Sequence, residues 1–236
     1  MGKPGTTFGR VAAAYARTRP PYSSAAVERA AAELGLNAGS TVLDLAAGTG
    51  NLTRTLREVF AQVVAVEPDS DMRAQFEGEV LAGSAESIPL ADDAVEAVFV
   101  GEAFHWFDPE RALAEIRRVA GGLAVLNRSW GIAEQPELLP QAFRDDLDVV
   151  WERFHGARRL DSFPDWRGAI DPDGSERFEE HMPISGRDLV DLHLTGSTPA
   201  SIADDEREAM AARAYPLMDA EYALRVVTDL YWKRFA

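Results

Sequence analysis

Asp44 lies in a short apolar run, Val42-Leu43-Asp44-Leu45, that opens onto the small-residue turn Ala46-Ala47-Gly48-Thr49-Gly50. Small residues let a ligand approach the main chain without obstruction by Cβ atoms. A turn of this kind between a strand and a helix can serve a dinucleotide, whose loop carries similar glycines. Two features point elsewhere. The turn lacks the third glycine of the G-x-G-x-x-G pattern, and a carboxylate at Asp44 would repel a pyrophosphate. An acid there suits a ligand that carries positive charge, such as an amino group or a sulfonium.

Glu67, followed by Pro68, ends the next apolar run and lies 17 residues beyond Gly50. That is close to the spacing of about 20 expected for an acid that holds a ribose. Its two carboxylate oxygens can accept both ribose hydroxyls. The segment Gly83-Ser84-Ala85-Glu86-Ser87-Ile88-Pro89 follows a third short run, where an adenine edge would reach. A backbone N–H near Ala85 could bond a ring nitrogen, and Ser84 or Glu86 could accept from the exocyclic amine. Met72 could pack on the base or simply fill the core. Gly101 begins the stretch through Trp106, in which His105 is the candidate general base and equally a candidate wall of the pocket. Phe104 and Trp106 shape that wall. His155, His181 and His193 are scattered, and no spacing suggests a metal.

These residues need a scaffold that gathers strand ends. Short runs rich in β-branched residues supply it: Thr41–Ala46, Gln62–Val66, Val80–Ala82, Ala94–Val100 and Leu123–Leu126. Helical patterns alternate with them at Ser24–Leu34, Leu52–Phe60, Met72–Phe76 and from Pro109 through Val119. Such alternation predicts a parallel sheet covered on both faces, with ligands at the carboxyl ends of the strands. Beyond Trp130 the alternation lapses. A helix is expected over Gln141–Phe154, a loop over Gly156–Ser175 and a strand over Phe178–Ile184. Helices follow at Arg187–Leu194 and Asp204–Ala214, and a closing edge strand at Val226–Phe235.

The bulk properties narrow the partners. A net charge of −15 would repel nucleic acid or an anionic membrane unless a basic patch intervened. Arg153, Arg158 and Arg159 lie between Glu152 and Asp161 and read as a solvated face. With no cysteine, disulfides and thiolate metal sites are excluded. No apolar stretch is long enough to span a bilayer, and no signal peptide is apparent. The expectation is a cytoplasmic protein with no nucleic-acid or membrane partner, and nothing fixes its oligomeric state.

VLDLAAGTGNLT, VVAVEPDSDM, GSAESIPLADDAVEAVFVGEAFHWFD and ALAEIRRV resemble, in order and spacing, the class I S-adenosylmethionine-dependent methyltransferases. The similarity is greatest to the small-molecule branch known as methyltransferase type 11, and FGRVAAAYARTRPPY resembles that branch's lead-in. It covers residues 8 to about 127 and only loosely the remainder. It implies a Rossmann-like α/β fold with a seven-stranded sheet of order 3-2-1-4-5-7-6. The last strand would be antiparallel, with helices on both faces and a helical cap. It also implies S-adenosylmethionine as cofactor and a small-molecule methyl acceptor. Asp44, Ala46 and Gly48 would line its methionyl part, Glu67 would hold the ribose, and Ala85 with Glu86 the adenine. Tyr15 and Arg19 would close over its carboxylate. Three departures stand out. Ala46 replaces a common glycine, Ser84 a frequent aspartate, and Ala120-Gly121-Gly122 lacks the usual proline before the fifth strand.

The chain is therefore expected to form one domain. Residues 1–40 would be a helical lead-in, 41–128 the cofactor core, 129–201 the substrate region, and 202–236 a closing helix and strand. Trp130, Trp151, Phe154, Phe163 and Trp166 make the substrate region aromatic, which favours an apolar acceptor although core packing accounts for most of them. Two other functions remain open from the residues: a cofactor-binding fold put to a non-methylating use such as cyclisation, and a nicotinamide-dependent oxidoreductase.

Overall fold

The computed structural model describes residues 17–131, 134–155, 166–196 and 198–235. Seven strands form one sheet: β1 (Thr41–Leu45), β2 (Gln62–Glu67), β3 (Leu81–Ala82), β4 (Ala97–Gly101), β5 (Gly122–Trp130), β6 (Gly174–Ser185) and β7 (Glu221–Arg234). Their order is β3-β2-β1-β4-β5-β7-β6, as the resemblance implied, with the last strand antiparallel. β1 pairs in parallel with both β2 and β4, so Asp44 stands beside Ala65 on one side and Phe99 on the other.

The pleat sorts alternate residues of these central strands onto two apolar faces. Leu43, Leu45, Val98, Val100, Leu123 and Val125 face one side with α4 (Pro109–Val119) and α6 (Trp166–Ile170). Val42, Phe99, Ala124 and Leu126 face the other with α1 (Ser24–Leu34) and α2 (Asn51–Val59). Asp44 shares the parity of Val42 and so turns towards α2. Pro109 sits in the first turn of α4, and the Asp108 side chain caps it by accepting from the Arg111 N–H. Gly35, at φ 73°, ends α1 in the left-handed conformation that favours glycine.

Residue contacts divide the chain into two compact units. The first holds described residues 21–128, 166–178 and 228–235, and with them the two faces above. The second holds described residues 17–20, 129–131, 134–155, 179–196 and 198–227. Its own core joins Phe143 and Val150 of α5 (Gln141–His155), Leu189, Val190 and Leu192 of α7 (Gly186–Leu194), and Met210 and Ala214 of α8 (Asp204–Ala214).

Several expectations change. The final strand is not an edge: β7 lies between β5 and β6. Val226, Val227, Leu230 and Trp232 are buried along it, whereas β6 carries Glu176, Arg177, Glu179 and Glu180, charges suited to an exposed edge. The expected loop over Gly156–Ser175 contains α6, whose Trp166 and Ile170 are buried against Phe104 and its neighbours. The helix expected over Met72–Phe76 is the single turn α3 (Ser70–Arg73). Asp69 starts it by accepting from the Asp71 and Met72 N–H groups. Arg153 of the basic cluster pairs with Glu206 at 2.8 Å on the surface. No described helix is long and apolar enough to cross a membrane.

Candidate functional site

The carboxyl ends of β1, β2 and β4 carry the residues whose chemistry drew attention in the sequence. Asp44 is 1% exposed. One of its oxygens accepts from the Thr53 hydroxyl on the first turn of α2. Its other oxygen, Oδ1, is buried and meets no hydrogen-bond donor among the described residues. Burial raises the Asp44 carboxyl to about 7, against the lowering effect of the Thr53 hydrogen bond and with a smaller push from the Glu67 charge.

The turn after β1 is shaped for close approach. Ala46, Gly48 and Gly50 take φ values of 60°, 58° and 83°. A Cβ at Gly48 would meet nothing within 4 Å and would project into the crevice, whereas one at Gly50 would lie 2.9 Å from the Phe76 ring. The turn is tied to β2 twice. Ala47 N–H donates to the Val66 carbonyl at 3.0 Å, and Gly48 N–H donates to Glu67 Oε2 at 2.8 Å. Glu67 Oε1 accepts from Asp69 N–H at 2.8 Å, so one carboxylate braces both loops. Burial also raises the Glu67 carboxyl, while those two backbone N–H groups oppose the rise. Arg73 donates to the Glu67 and Pro68 carbonyls and fixes the turn in which the exposed Pro68 sits. Met72 is buried beside it.

Ser84 and Ser87 bridge each other, and Ala85 is buried against Leu45 and Val66. Glu86 accepts from Asp108 N–H at 3.0 Å and is therefore tied to the start of α4. Gly83 is packed so closely that a Cβ would stand 2.5 Å from Pro89 Cδ. At the end of β4, a Cβ on Gly101 would fall 2.4 Å from the Tyr22 hydroxyl. Glu102 follows at φ 56° and accepts from the Arg128 main-chain N–H. His105 lies in a 3-10 turn, Phe104–Trp106, its ring 4.6 Å from that of Trp106. Burial holds the imidazole below its usual pKa, so it is neutral at pH 7.

Gly48 and Glu67 are thus bonded to each other next to Asp44 and Ala46 at the end of β1, with Pro68, Met72, Ser84, Ala85, Glu86, Gly101 and His105 in the same compact unit. Arg19 belongs to the other unit, where its guanidinium donates to the Thr195 carbonyl at 3.0 Å and lies 4.8 Å over the Trp130 ring. Tyr15 lies outside the described residues, as does Phe163. The sequence reading missed Thr53, although its position three residues before Leu56 places both on the helix face turned to the sheet. It also missed Tyr22, whose contact with Gly101 is made across the fold and leaves no local signal. Among the described residues no His, Asp and Glu side chains group to hold a metal ion.

A strand-turn-helix with a buried acid, a second acid at the end of the neighbouring strand and this strand order define the layout of a Rossmann-like sheet at its ligand-facing strand ends. Comparison with known proteins agrees. Residues 43–126 match the family model described as a methyltransferase domain. An uncharacterized methyltransferase of Mycobacterium tuberculosis is 42% identical over 134 residues, 55% of this chain and 54% of that protein. The chain thus spans about half the length of that relative. A malonyl-(acyl-carrier protein) O-methyltransferase of Pseudescherichia vulneris is 30% identical over 177 residues, 67% of this chain and 68% of that protein. A solved structure from Anaeromyxobacter dehalogenans, named for a type II methyltransferase, shares the fold with a TM-score of 0.55. It is 22% identical and aligns over 92% of this chain and 97% of its own. The chain belongs to the methyltransferase-domain family.

Proposed function

We propose that this protein transfers a methyl group from S-adenosylmethionine to a small-molecule acceptor. The observation that carries the reading is Asp44: a fully buried carboxylate with one oxygen unmet among the described residues, at the mouth of a glycine turn that Glu67 braces. Unmet buried polar atoms are rare and call for an explanation. A cationic nucleoside answers both features, since it brings positive charge to Asp44 and hydroxyls to Glu67.

The residues fit the cofactor in chemistry. The open side of Gly48 leaves room for its methionyl part. Glu67 uses one lone pair per oxygen on backbone N–H groups and keeps others for ribose hydroxyls. Ser84, Ala85 and Glu86 would meet the adenine, Met72 its face, and Pro68 and Gly101 would border the nucleoside. When bound, the cofactor supplies an electrophilic methyl carbon on a sulfonium. The chain's part is then mostly alignment and exclusion of water. Phe104, almost wholly buried, and Met72 provide apolar walls. A neutral His105 is in the form that accepts a proton from an acceptor hydroxyl or carbon acid.

The acceptor in this reading is a small molecule, free or tethered as the name of the Pseudescherichia relative indicates for that protein. The working location is the cytoplasm, which cell fractionation checks. Calorimetry with S-adenosylmethionine and NAD tests the cofactor: binding of the first and not the second is expected, and the reverse overturns the reading. Turnover over a broad acceptor panel tests the reaction, and cofactor binding with no methylated product would favour a non-methylating role.

A further inference from the structure

We propose that Asp44 selects ligands by charge through proton exchange: in the free site it holds a proton, which a cationic ligand entering the crevice beyond β1 displaces. The inference rests on the nucleoside reading above and concerns what the free protein does before any chemistry.

The geometry singles out Asp44 rather than Glu67. Both carboxylates are buried at adjacent strand ends. Glu67 receives a backbone N–H on each oxygen, from Gly48 and Asp69, which stabilises its charge. Asp44 has one hydroxyl, from Thr53, and no donor on Oδ1 among the described residues. The groups facing it from each packed element are few. On β4 its register partner is Phe99 and on β2 it is Ala65, neither of them charged. From the end of β2 the Glu67 charge opposes ionisation, and from α2 the Thr53 hydroxyl and main-chain N–H and, more weakly, the Arg57 charge favour it. Arg57 is committed to the Glu77 carbonyl at 3.2 Å, with its guanidinium 5.8 Å over the Phe76 ring. Asp69 and Arg73, on the turn after β2, act on Glu67 with opposite signs. Two neighbouring acids of unequal solvation thus share a crevice, and the worse-solvated one takes the proton. Burial brings its titration to about 7, within reach of ordinary conditions.

A cation in the crevice reverses the balance, whether it touches Oδ1 or lies one hydrogen bond away, because it favours the charged form. A neutral nucleoside does not. Cationic ligands therefore bind with loss of a proton, and their affinity falls by up to about tenfold per pH unit below pH 7. Neutral analogues escape that penalty, so the site discriminates by charge most strongly on the alkaline side.

The test is isothermal calorimetry on the full chain in two buffers of different ionisation enthalpy, which counts protons exchanged. The probes are S-adenosylmethionine, S-adenosylhomocysteine and neutral 5′-methylthioadenosine. A group titrating at about 7 predicts release of about 0.9 proton at pH 6, 0.5 at pH 7 and 0.1 at pH 8 for the two ligands that bring a cationic ammonium, with or without the sulfonium. None is expected for the neutral one. Asp44→Asn should abolish the release while keeping the shape of the side chain. Thr53→Val, which removes the hydrogen bond that favours the anion, should move the window to higher pH. Binding without proton release at pH 6, or release that persists in Asp44→Asn, overturns the inference and leaves the cofactor reading standing. Failure of all three ligands to bind overturns both. Isotope-edited infrared spectroscopy of the free protein is an independent check. A protonated-carboxyl band at pH 6 that Asp44→Asn removes is expected, and its absence in the parent protein overturns the inference.

Discussion

Replacing Glu67 should weaken the protein before any ligand is added. Its two oxygens each take a backbone N–H at 2.8 Å, Gly48 from the β1 turn and Asp69 from the β2 turn. Glu67→Ala leaves both donors without that acceptor. A buried donor left unsatisfied costs about 1–3 kcal/mol. Two of them, each partly relieved by water entering the space of the lost side chain, give an expected loss of about 2–4 kcal/mol. Glu67→Gln is not conservative here. An amide offers one oxygen and turns its NH2 against the second backbone donor, so it should lose about 1–3 kcal/mol despite its near-identical shape. Urea unfolding of the ligand-free protein reads both values. Cofactor titration then reads the second role: loss of the ribose contact should weaken binding about 5- to 150-fold, the equivalent of about 1–3 kcal/mol. Stability of Glu67→Gln within about 0.5 kcal/mol of the parent would refute the bracing argument. Lower stability with unchanged cofactor affinity would instead keep the brace and remove Glu67 from the ribose.

The Asp44 carboxyl titrates at about 7 in the fold against an ordinary 3.8. Stability of the ligand-free protein should therefore be greatest at low pH on this account and fall as pH rises towards and through 7. The slope is at most about 1.4 kcal/mol per pH unit, and urea melts of Asp44→Asn should lack it. Gly101→Ala drives a Cβ to 2.4 Å from the Tyr22 hydroxyl and should cost about 1–3 kcal/mol. In Tyr22→Leu the same change should cost at least about 1 kcal/mol less, and strict additivity would show that the two do not touch. His105→Ala should lower kcat by about 10²–10⁴-fold if His105 is the base, and a loss under about tenfold assigns it to the wall. Ala46→Gly should stabilise the protein by up to about 1.6 kcal/mol in thermal or urea unfolding.

The sheet was legible as far as β5 because each strand and helix there carries its own period. Asp44, Gly48 and Glu67 were legible for a related reason: an acid or a glycine at a strand end is conspicuous when the strand itself is clear. What escaped depends on tertiary contact. α6 hides in a stretch whose Pro, Asp and Gly content reads as loop, and burial of Trp166 and Ile170 anchors it. The resemblance implied the place of β7 between β5 and β6, whereas its residues alone read as an edge, because sequence order does not give spatial order. Its apolar residues mark it as buried, and the charges of β6 mark an edge, yet neither says which lies outside the other. Thr53 passed as an ordinary helix residue until its hydroxyl met Asp44. Tyr22 and Gly101 are far apart in sequence and explain each other only in contact.

The distribution of backbone strain supports the location of the site independently of any side chain. Among the described residues four that are not glycine take positive φ: Ala46, Asp93, Glu102 and Asp171. Aspartate reaches this region at low cost because its side chain bonds locally, which leaves Ala46 and Glu102 to explain. Each directly follows the carboxyl end of a strand, Leu45 of β1 and Gly101 of β4. β1 and β4 are the neighbours at which the strand order turns from 3-2-1 to 4-5, the switch point where open α/β sheets bind ligands. Strain held at such a point usually serves the ligand. The Ala46→Gly variant separates this from chance. Relief of a left-handed alanine is worth about 1–2 kcal/mol, offset by about 0.4–1 kcal/mol of added freedom in the unfolded chain. A more stable protein that binds the cofactor less well would mean that the strain holds the turn in its binding form. A gain in stability with equal affinity would mean that the alanine is merely tolerated, and a loss of about 0.4–1 kcal/mol would show that the turn holds alanine without strain.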